Sequence, residues 1–338
     1  MRGVVKKLMH KAAVIGIGNI GFQFNLDPKR KETWSHVSAY EKCGKTRLAG
    51  AVELSPEKID LFKRQYPDVP VFKSVKDLME SVDIDIVSIC TPTESHYPIL
   101  KELLGYPVKG IFCEKPFASR VTEAKEMVMR CNEKNVVIAV NHTRRWDDNY
   151  LLVKRMIKEG KIGRVKAVNA FYPGQVFNIG THIFDVIRML IEKDPEIVSG
   201  ISYNLENQDP TISGWIQFEE QIPCTVLSTG KREDLIIEVD TIGDEGRLRI
   251  LENGEKIEWY LFTKSPRFSG YRELTLRPVE PISKKDRFVE AVNDIVSAIE
   301  TGTGVVNCAG ADGLYALAMS LAQLESARNN SLPVKMEI

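Results

Sequence analysis

Three glycines in one short segment have the types and spacing of a phosphate-binding turn. Gly16, Gly18 and Gly21 form the pattern G-x-G-x-x-G directly after an apolar run, in the segment AAVIGIGNIG. Between a strand and a helix, the first glycine permits a tight turn, the second lets the backbone approach a pyrophosphate, and the third lets the helix pack on the strand. Asn19 and Ile20 belong to the same turn, where the helix N-terminus faces the anion. The segment therefore predicts a dinucleotide site.

The acid Glu53 ends a second predicted strand, RLAGAVE, at the place where the adenosine ribose of a dinucleotide lies. A carboxylate there accepts both ribose hydroxyls and repels a 2'-phosphate, so it favours NAD over NADP. Residues 22–46 contain an extra polar segment, NLDPKRKETW, which places the acid beyond the roughly 20 residues that the pattern expects. Lys29, Arg30 and Lys31 of this segment could reach a phosphate, which leaves NADP open. We favour a solvated surface loop.

A charged pair and a proline, Glu114-Lys115-Pro116, end a predicted buried strand where a simple turn would use Gly, Asn or Asp. Proline allows a cis peptide bond after Lys115, which would direct the lysine into the crevice at the carboxyl ends of the strands, where open parallel sheets bind ligands. Thr91 and Pro92 end the preceding strand and are candidates, with Glu114 and Lys115, for contacting a cofactor. The alternative is a surface ion pair, against which the position at a strand end argues.

A second polar group lies in FNIGTHIFD, at the start of a predicted helix. Asn178 and His182 are four residues apart and His182 and Asp185 three, so all three share one face if the helix begins by Asn178. Asp185 or Asn178 could hold one imidazole nitrogen of His182 and leave the other to take a proton. A satisfied core histidine is the competing interpretation. The remaining histidines lack such companions in the sequence: His10, His36, His96 and His142.

Polar residues also follow the last predicted strand of the first half, in NHTRRW. Asn141, Arg144 and Arg145 are candidates for gripping a polar or phosphorylated substrate. The alternative is an interdomain salt bridge and a core tryptophan, Trp146. The sequence leaves both open.

Strand-length apolar runs alternate with amphipathic helices from residue 12 to residue 141, which predicts a doubly wound parallel sheet, an α/β Rossmann domain. We assign this domain to residues 1–141.

After residue 141 the pattern changes, because strands follow one another closely without helices between them. Such strands make a mostly antiparallel sheet, so residues 142–338 are predicted to form an α+β domain with an open sheet, for substrate binding and oligomerisation. The last helix is in a position to pack back on the first domain. The predicted elements are helices at 149–159, 180–191, 285–300 and 310–327 and strands at 165–172, 211–218, 224–229, 234–240, 246–251 and 256–262.

Composition sets limits on partners. The 338 residues favour two domains, and 43% hydrophobic with 27% charged residues are values of a soluble globular protein. With 46 basic and 46 acidic residues the net charge is zero, which argues against nucleic acid or an anionic membrane as partner. No apolar run approaches the roughly 20 residues of a membrane span. Six cysteines without a C-x-x-C pair predict no zinc or other metal site and a reduced, cytoplasmic setting.

These motifs, in this order, resemble the glucose-fructose oxidoreductase/inositol dehydrogenase/MocA family. The turn GIGNIG, the acid Glu53, CTPTESH, EKP, NHTRRW and GTHIFD carry the resemblance over nearly the whole chain. It implies an NAD(P)-dependent oxidoreductase of sugars, inositols or nucleotide sugars, with a Rossmann domain and an open second sheet that forms a homo-oligomer, a dimer or tetramer. It also implies Lys115 as the residue touching the reacting hydroxyl and His182 as acid/base.

Two features depart from the family pattern. Asn178 stands where inositol-type members carry an aspartate, which is similar to members acting on nucleotide-linked sugars, and the segment PGQVFNIG before the histidine is shorter than usual. We predict hydride transfer between a secondary alcohol and the nicotinamide of NAD, or of NADP. Two alternatives remain: an NAD-binding regulatory protein without turnover, and an NAD-dependent glycosidase of the same fold.

Overall fold

The computed structural model describes residues 9–338, so the first eight residues of the predicted first domain lie outside it. The chain divides into two units, and each is described by itself. The first unit is the part of the chain up to Trp146 together with Lys285–Leu314. The second unit is Asp147–Lys284 together with Tyr315–Ile338.

A parallel sheet forms the centre of the first unit. In the described residues it has the strand order β3-β2-β1-β4-β5-β6, and every neighbouring pair is parallel. The order reverses direction between β1 and β4, and such a switch point is where open α/β sheets bind ligands. The predicted doubly wound sheet is confirmed. The strands are β1 His10–Ile15, β2 Thr46–Val52, β3 Val71–Phe72, β4 Ile86–Ile89, β5 Gly110–Cys113 and β6 Val137–Val140.

Helices connect these strands, and serine side chains fix the start of three of them. Ser35, Ser55 and Ser74 each accept a hydrogen bond from a backbone N–H of the first turn that follows, which satisfies a donor that has no partner inside the helix. The helices of this part of the chain are α1 His36–Lys42, α2 Pro56–Gln65, α3 Val75–Ser81, α4 His96–Leu103 and α5 Val121–Glu133.

The extra polar segment is a bulge in the first helix. The backbone N–H of Phe22 donates to Gly18 O at 2.9 Å, which forms one helical turn directly after the glycines. The N–H of His36 donates to Ile20 O at 3.1 Å, so α1 continues this turn after the polar segment. This explains the long interval before Glu53. Within the bulge Lys29 and Lys31 are exposed, as predicted.

The prediction of a solvated loop is wrong for one residue of this bulge. The guanidinium carbon of Arg30 lies 4.2 Å from the ring centre of Phe24 and 5.1 Å from that of Trp34. A guanidinium stacks well on aromatic faces, so Arg30 is packed on two rings, with 32% of its side chain still exposed.

The second unit is built on a larger sheet, which over the described residues has the order β14-β13-β12-β11-β7-β10-β9-β8-β15. Its neighbours are antiparallel except β7 and β10, which are parallel, so the predicted mostly antiparallel sheet is confirmed. Buried residues of β7 and of α7 share one core. The elements are α6 Asp148–Lys158, β7 Val165–Tyr172, α7 Thr181–Ile191, β8 Pro195–Ser202, β9 Ile212–Phe218, β10 Ile222–Ser228, β11 Glu238–Gly243, β12 Gly246–Leu251, β13 Lys256–Lys264, β14 Arg272–Arg277 and β15 Val334–Lys335.

Two helices occupy the last part of the sequence, α8 Arg287–Thr301 and α9 Gly310–Arg328. Helix α8 belongs to the first unit. Its Asp294 accepts a hydrogen bond from the indole N–H of Trp146 at 2.8 Å, which is the partner that a buried indole requires. No helix among residues 9–338 has the length and apolar character needed to cross a membrane.

Candidate functional site

The glycine turn has the geometry that its sequence pattern requires. Gly16 has φ +87°, and a Cβ placed on it would lie 2.9 Å from Cys90 O. A Cβ on Gly21 would lie 2.1 Å from Gly16 O, so helix and turn pack too closely for any side chain. A Cβ on Gly18 would meet nothing nearer than the Lys58 ammonium at 3.8 Å. The turn is therefore closed at Gly16 and Gly21 and open at Gly18, where a ligand has room to approach.

We expect Gly16→Ala to lower the free energy of unfolding by about 1–3 kcal/mol, because it puts a side chain on a left-handed residue and against a carbonyl. Gly44→Ala is the matched control, since Gly44 is exposed, has no positive φ, and its added Cβ would touch nothing within 4 Å. Urea denaturation of both variants measures the difference. Equal stability of the two would contradict the strain assigned to Gly16.

Backbone amides hold the carboxylate of Glu53 in place. Its Oε1 accepts from Leu54 N at 2.8 Å and Ser55 N at 3.0 Å, and its Oε2 accepts from Ile17 N at 3.2 Å. The Lys58 ammonium lies 3.9 Å from Oε2. Each carboxylate oxygen has two lone pairs, so at least one acceptor site remains beside the glycine turn. This arrangement fits a ribose hydroxyl.

Strand pairing brings the predicted strand-end residues to one edge of the sheet. Cys90 N donates to Ile15 O at 2.8 Å, just before Thr91 and Pro92, and Glu114 N donates to Ile89 O at 2.9 Å. Glu114 and Lys115 thus stand one strand away from Thr91. The peptide bond between Lys115 and Pro116 is cis, which confirms that expectation.

Glu114 is a buried carboxylate rather than part of a surface ion pair, since only 6% of the residue is exposed. Its Oε1 accepts from His36 Nε2 at 2.9 Å and from Asn141 Nδ2, and its Oε2 accepts from Lys115 N at 3.2 Å. Burial alone would raise the pKa of Glu114, but the hydrogen bond and charge of His36, with contributions from Lys115 and Asn141, hold it below its ordinary value. The carboxylate is ionised at neutral pH.

The prediction that His36 lacks companions is wrong. Its ring contacts Glu114 through Nε2 and Ser88 Oγ through Nδ1 at 2.8 Å. These partners are 78 and 52 residues away in the sequence. A signal was nevertheless present: His36 and Tyr40 have i,i+4 spacing on a helix whose buried residues also include Val37 and Ala39.

Asn141 carries a buried acceptor that has no partner within the described residues. Its Nδ2 donates to Glu114, and the opposite atom, Oδ1, has no hydrogen-bond partner there. Because unpaired buried polar atoms are rare and costly, this oxygen fits a donor from a ligand, such as a hydroxyl or a carboxamide N–H. The next residue, His142, is neutral, since burial, with the charges of Arg145 and Lys115, lowers its pKa to about 3.

The two arginines proposed to grip a substrate lie in a short 3-10 turn, Thr143–Trp146, and both are buried. The guanidinium of Arg145 pairs with Asp312 at 2.9 Å and donates to Asn307 O at 3.0 Å. Both partners are in the first unit. A substrate role for Arg144 or Arg145 stays a prediction.

Asn178, His182 and Asp185 all lie at the start of α7, but on two kinds of helix. The α-helix begins at Thr181, and a π-helical turn, Val176–Gly180, precedes it and contains Asn178. The prediction that all three residues lie on one face of a single α-helix is therefore wrong for Asn178, which precedes the α-helix. His182 is half-buried and Asp185 is 1% exposed. π-helical turns are frequent at functional sites.

Asp209 fixes this turn, although no sequence pattern predicts it. Its carboxylate oxygens accept from Phe177 N at 2.9 Å and Asn178 N at 3.0 Å, as a capping residue does. The contact spans about thirty residues between two segments, so no local spacing indicates it. Asp209 thereby holds the turn from which α7 and His182 start.

The first unit fits a bound dinucleotide. The open approach at Gly18, the anchored carboxylate of Glu53 and the unpaired Asn141 Oδ1 supply the contacts that the phosphates, a ribose and a polar group of such a molecule need. No cluster of three or more His, Cys, Asp or Glu side chains arranged to hold a metal ion is present in residues 9–338.

Two family models match this chain. A model described as an oxidoreductase family with an NAD-binding Rossmann fold matches residues 10–142, and a model described as the C-terminal alpha/beta domain of an oxidoreductase family matches residues 154–336. Together these matches include most of the chain.

Individual relatives are distant. An uncharacterized oxidoreductase of Schizosaccharomyces pombe, C115.03, is 29% identical over 36% of this chain, and the chain spans only 38% of that protein. Inositol 2-dehydrogenase of Rhizobium meliloti is 24% identical over 86% of this chain and 92% of its own length. An Agrobacterium radiobacter oxidoreductase, solved with NAD+, L-tartaric acid and magnesium, superposes with a TM-score of 0.77 at 19% identity, covering 96% of this chain and 98% of that one. This last similarity establishes the fold.

Proposed function

Because the chain belongs to the glucose-fructose oxidoreductase/inositol dehydrogenase/MocA family of oxidoreductases, whose first domain is an NAD-binding Rossmann fold, we propose that it transfers hydride between a secondary alcohol and NAD. The resemblance read from the motifs is thereby confirmed at the level of the family. The observation that carries the proposal is the placement of Lys115 beside the buried, ionised Glu114, at the strand edge that also holds the glycine turn.

Each candidate residue has a separate part in this reaction. The turn at Gly16, Gly18 and Gly21 receives the pyrophosphate, and Glu53 accepts the ribose hydroxyls. Lys115 donates a hydrogen bond to the reacting oxygen and stabilises the negative charge that develops there. His182 takes the hydroxyl proton as general base. The nicotinamide, when bound, supplies the redox chemistry as hydride acceptor or donor.

We propose a sugar, an inositol or a nucleotide sugar as the substrate. One relative matched over most of its length is named for oxidation of inositol. Asn141 Oδ1, a buried acceptor of the first unit with no hydrogen-bond partner among residues 9–338, suits a hydroxyl of such a ligand. The family resemblance adds Asn178 and Asp185 of the second unit as further candidates. Arg144 and Arg145 belong to the same proposal, as candidates for gripping a polar group of the substrate.

A substrate screen tests the function. Purified protein is mixed with NAD or NADP and with inositols, aldoses and nucleotide sugars, and nicotinamide reduction is followed at 340 nm. We expect turnover with at least one class. Tight NAD binding without turnover on any alcohol would favour a regulatory protein, and cleavage of a glycoside with no net NAD reduction would favour the glycosidase. Either result would overturn the proposal that the protein is a dehydrogenase.

Glu53 is expected to set the cofactor preference. Its fixed carboxylate repels a 2'-phosphate, so wild-type protein should prefer NAD, and Glu53→Gln should reduce the NAD over NADP ratio of kcat/KM by about tenfold or more, which corresponds to about 1.4 kcal/mol. Lys58→Met is the matched control, because it removes the ammonium that lies 3.9 Å from the carboxylate and should raise the same ratio. A wild-type preference for NADP would contradict this role of Glu53.

We propose that the chain forms a homo-oligomer through the open face of the second sheet. Val168, Ala170 and Tyr172 of β7 are buried toward the core shared with α7, whereas Phe171 and its β10 neighbour Leu227 are exposed on the opposite face. Arg247 and Asp240 of that sheet face are paired with each other. A second copy can therefore cover the apolar area of Phe171 and Leu227 while Glu238, opposite Phe171 on β11, keeps its carboxylate at the rim in water.

Light scattering tests this contact. We expect wild-type protein to have the mass of a dimer or tetramer, and Phe171→Glu to shift it toward the monomer, because the change buries a charge in an apolar contact. Leu332→Glu, at a residue that is 64% exposed, is the control and should leave the mass unchanged. A monomeric wild type would exclude the proposed oligomer.

A further inference from the structure

A chain of hydrogen bonds runs through the interior of the first unit and ends at Glu114. Tyr40 OH lies 2.7 Å from Ser88 Oγ, Ser88 Oγ lies 2.8 Å from His36 Nδ1, and His36 Nε2 lies 2.9 Å from Glu114 Oε1. Tyr40, Ser88 and His36 are fully buried. The second oxygen of Glu114 accepts the backbone N–H of Lys115. This series of hydrogen bonds thus connects α1 to Lys115, the residue proposed to contact the substrate.

The ionised carboxylate of Glu114 determines which atom is the donor in its hydrogen bond with His36. An ionised carboxylate can only accept, so His36 Nε2 carries a proton whichever way the bond to Ser88 is arranged. Tyr40 remains a phenol, because burial raises its pKa. A carboxylate buried without donors would give up its charge, and Glu114 keeps its charge because His36, Asn141 and the backbone donate to it.

Most of the other titratable side chains around Glu114 are either neutral or already paired. Burial keeps neighbouring thiols and imidazoles neutral at pH 7, since it raises the pKa of the former and lowers the pKa of the latter; these are Cys90, Cys113, His96 and His142. The nearby charges of Arg145 and Asp312 are paired with each other. The charge of Lys115 therefore acts on Glu114 in addition to the hydrogen bond and charge of His36, and His36 is the side chain that joins Glu114 to α1.

We propose that His36 is a positioning residue for Lys115, acting through Glu114: it holds a buried negative charge beside the lysine, which keeps the lysine an ammonium that donates to the reacting oxygen. This inference rests on the proposed function, in which Lys115 contacts that oxygen.

The protonation of Lys115 can be measured without turnover. Competitive acetylation with acetic anhydride at a series of pH values, read by mass spectrometry of the peptide that contains Lys115, reports the fraction of free amine. Loss of the carboxylate in Glu114→Gln should move the midpoint at least about one pH unit lower, because a neighbouring anion favours the ammonium. An unchanged midpoint in a folded Glu114→Gln protein would overturn the inference and leave the proposed function standing.

Turnover gives a second, independent measurement at His36. His36→Ala removes a donor from Glu114, which raises the pKa of that carboxyl, so kcat should fall. Protonation of Glu114 should then add to the protonation of His182 in the acid limb of the pH profile, which makes that limb steeper. His36→Gln retains a side-chain N–H donor and should restore the wild-type limb. A profile that is the same in all three proteins would contradict the role of His36. This test also decides the matter if Glu114→Gln does not fold.

A control separates positioning from loss of stability. Val226→Ala removes core packing in the second unit and should lower the melting temperature without moving either the acetylation midpoint or the pH profile. Circular dichroism confirms folding of each variant. If wild-type protein turns over no substrate, the proposed function fails, whereas the acetylation experiment still tests the pairing of Glu114 with Lys115.

Discussion

Lys115→Ala is expected to lower kcat by about 10²- to 10³-fold, with the dissociation constant for NAD changed less than threefold. The magnitude is that for removing one donor to a developing oxyanion. In the proposed mechanism the lysine contacts the oxygen most strongly when negative charge develops, so the loss should fall on kcat more than on KM. Stopped-flow measurement of a single turnover, with the substrate found in the screen, isolates the chemical step.

Lys115→Arg and Lys115→Met separate charge from shape. Arginine keeps a cation but changes the donor geometry and should retain part of the activity, whereas methionine keeps the bulk without the charge and should resemble alanine. If methionine supported turnover like wild type, Lys115 would not stabilise charge on the oxygen. The dehydrogenase would then need another donor, while the Rossmann domain would be unaffected.

Features that depend on local pattern could be predicted from the sequence. The turn leaves no room for a Cβ atom at Gly16 or Gly21, so both positions require glycine, and glycine is visible directly in the sequence. Glu53 was identified because it ends a strand whose neighbour carries that turn. The alternation of strands and helices is likewise local, so the parallel sheet followed from periodicity.

Features that depend on contacts between distant segments could not be predicted. His36 meets Glu114 across 78 residues and Asp209 caps a turn 31 and 32 residues earlier, and no spacing rule connects such pairs. The π-helical turn before α7 depends on Asp209 in the same way. Polar residues whose role is to satisfy another buried polar group are the kind that sequence patterns miss, because their partner is set by the tertiary fold.

His182→Ala is expected to lower kcat by about 10²- to 10⁴-fold, the usual range for loss of a general base. The pH profile distinguishes this from a packing defect: the variant should lose the acid limb that wild type shows, because no imidazole remains to be protonated. Ile183→Val, a conservative change at a fully buried neighbour on the same helix, is the control and should keep both limbs.

A double variant tests whether Lys115 and His182 serve one reaction step. If both act on the same alcohol oxygen, the loss in Lys115→Ala/His182→Ala will be smaller than the product of the two single losses, as occurs when residues act as a unit. With either residue gone, the remaining one has less of the transition state to stabilise. Losses that multiply fully would mean that the two side chains act independently, and the mechanism in which ammonium and imidazole share one oxygen would be wrong.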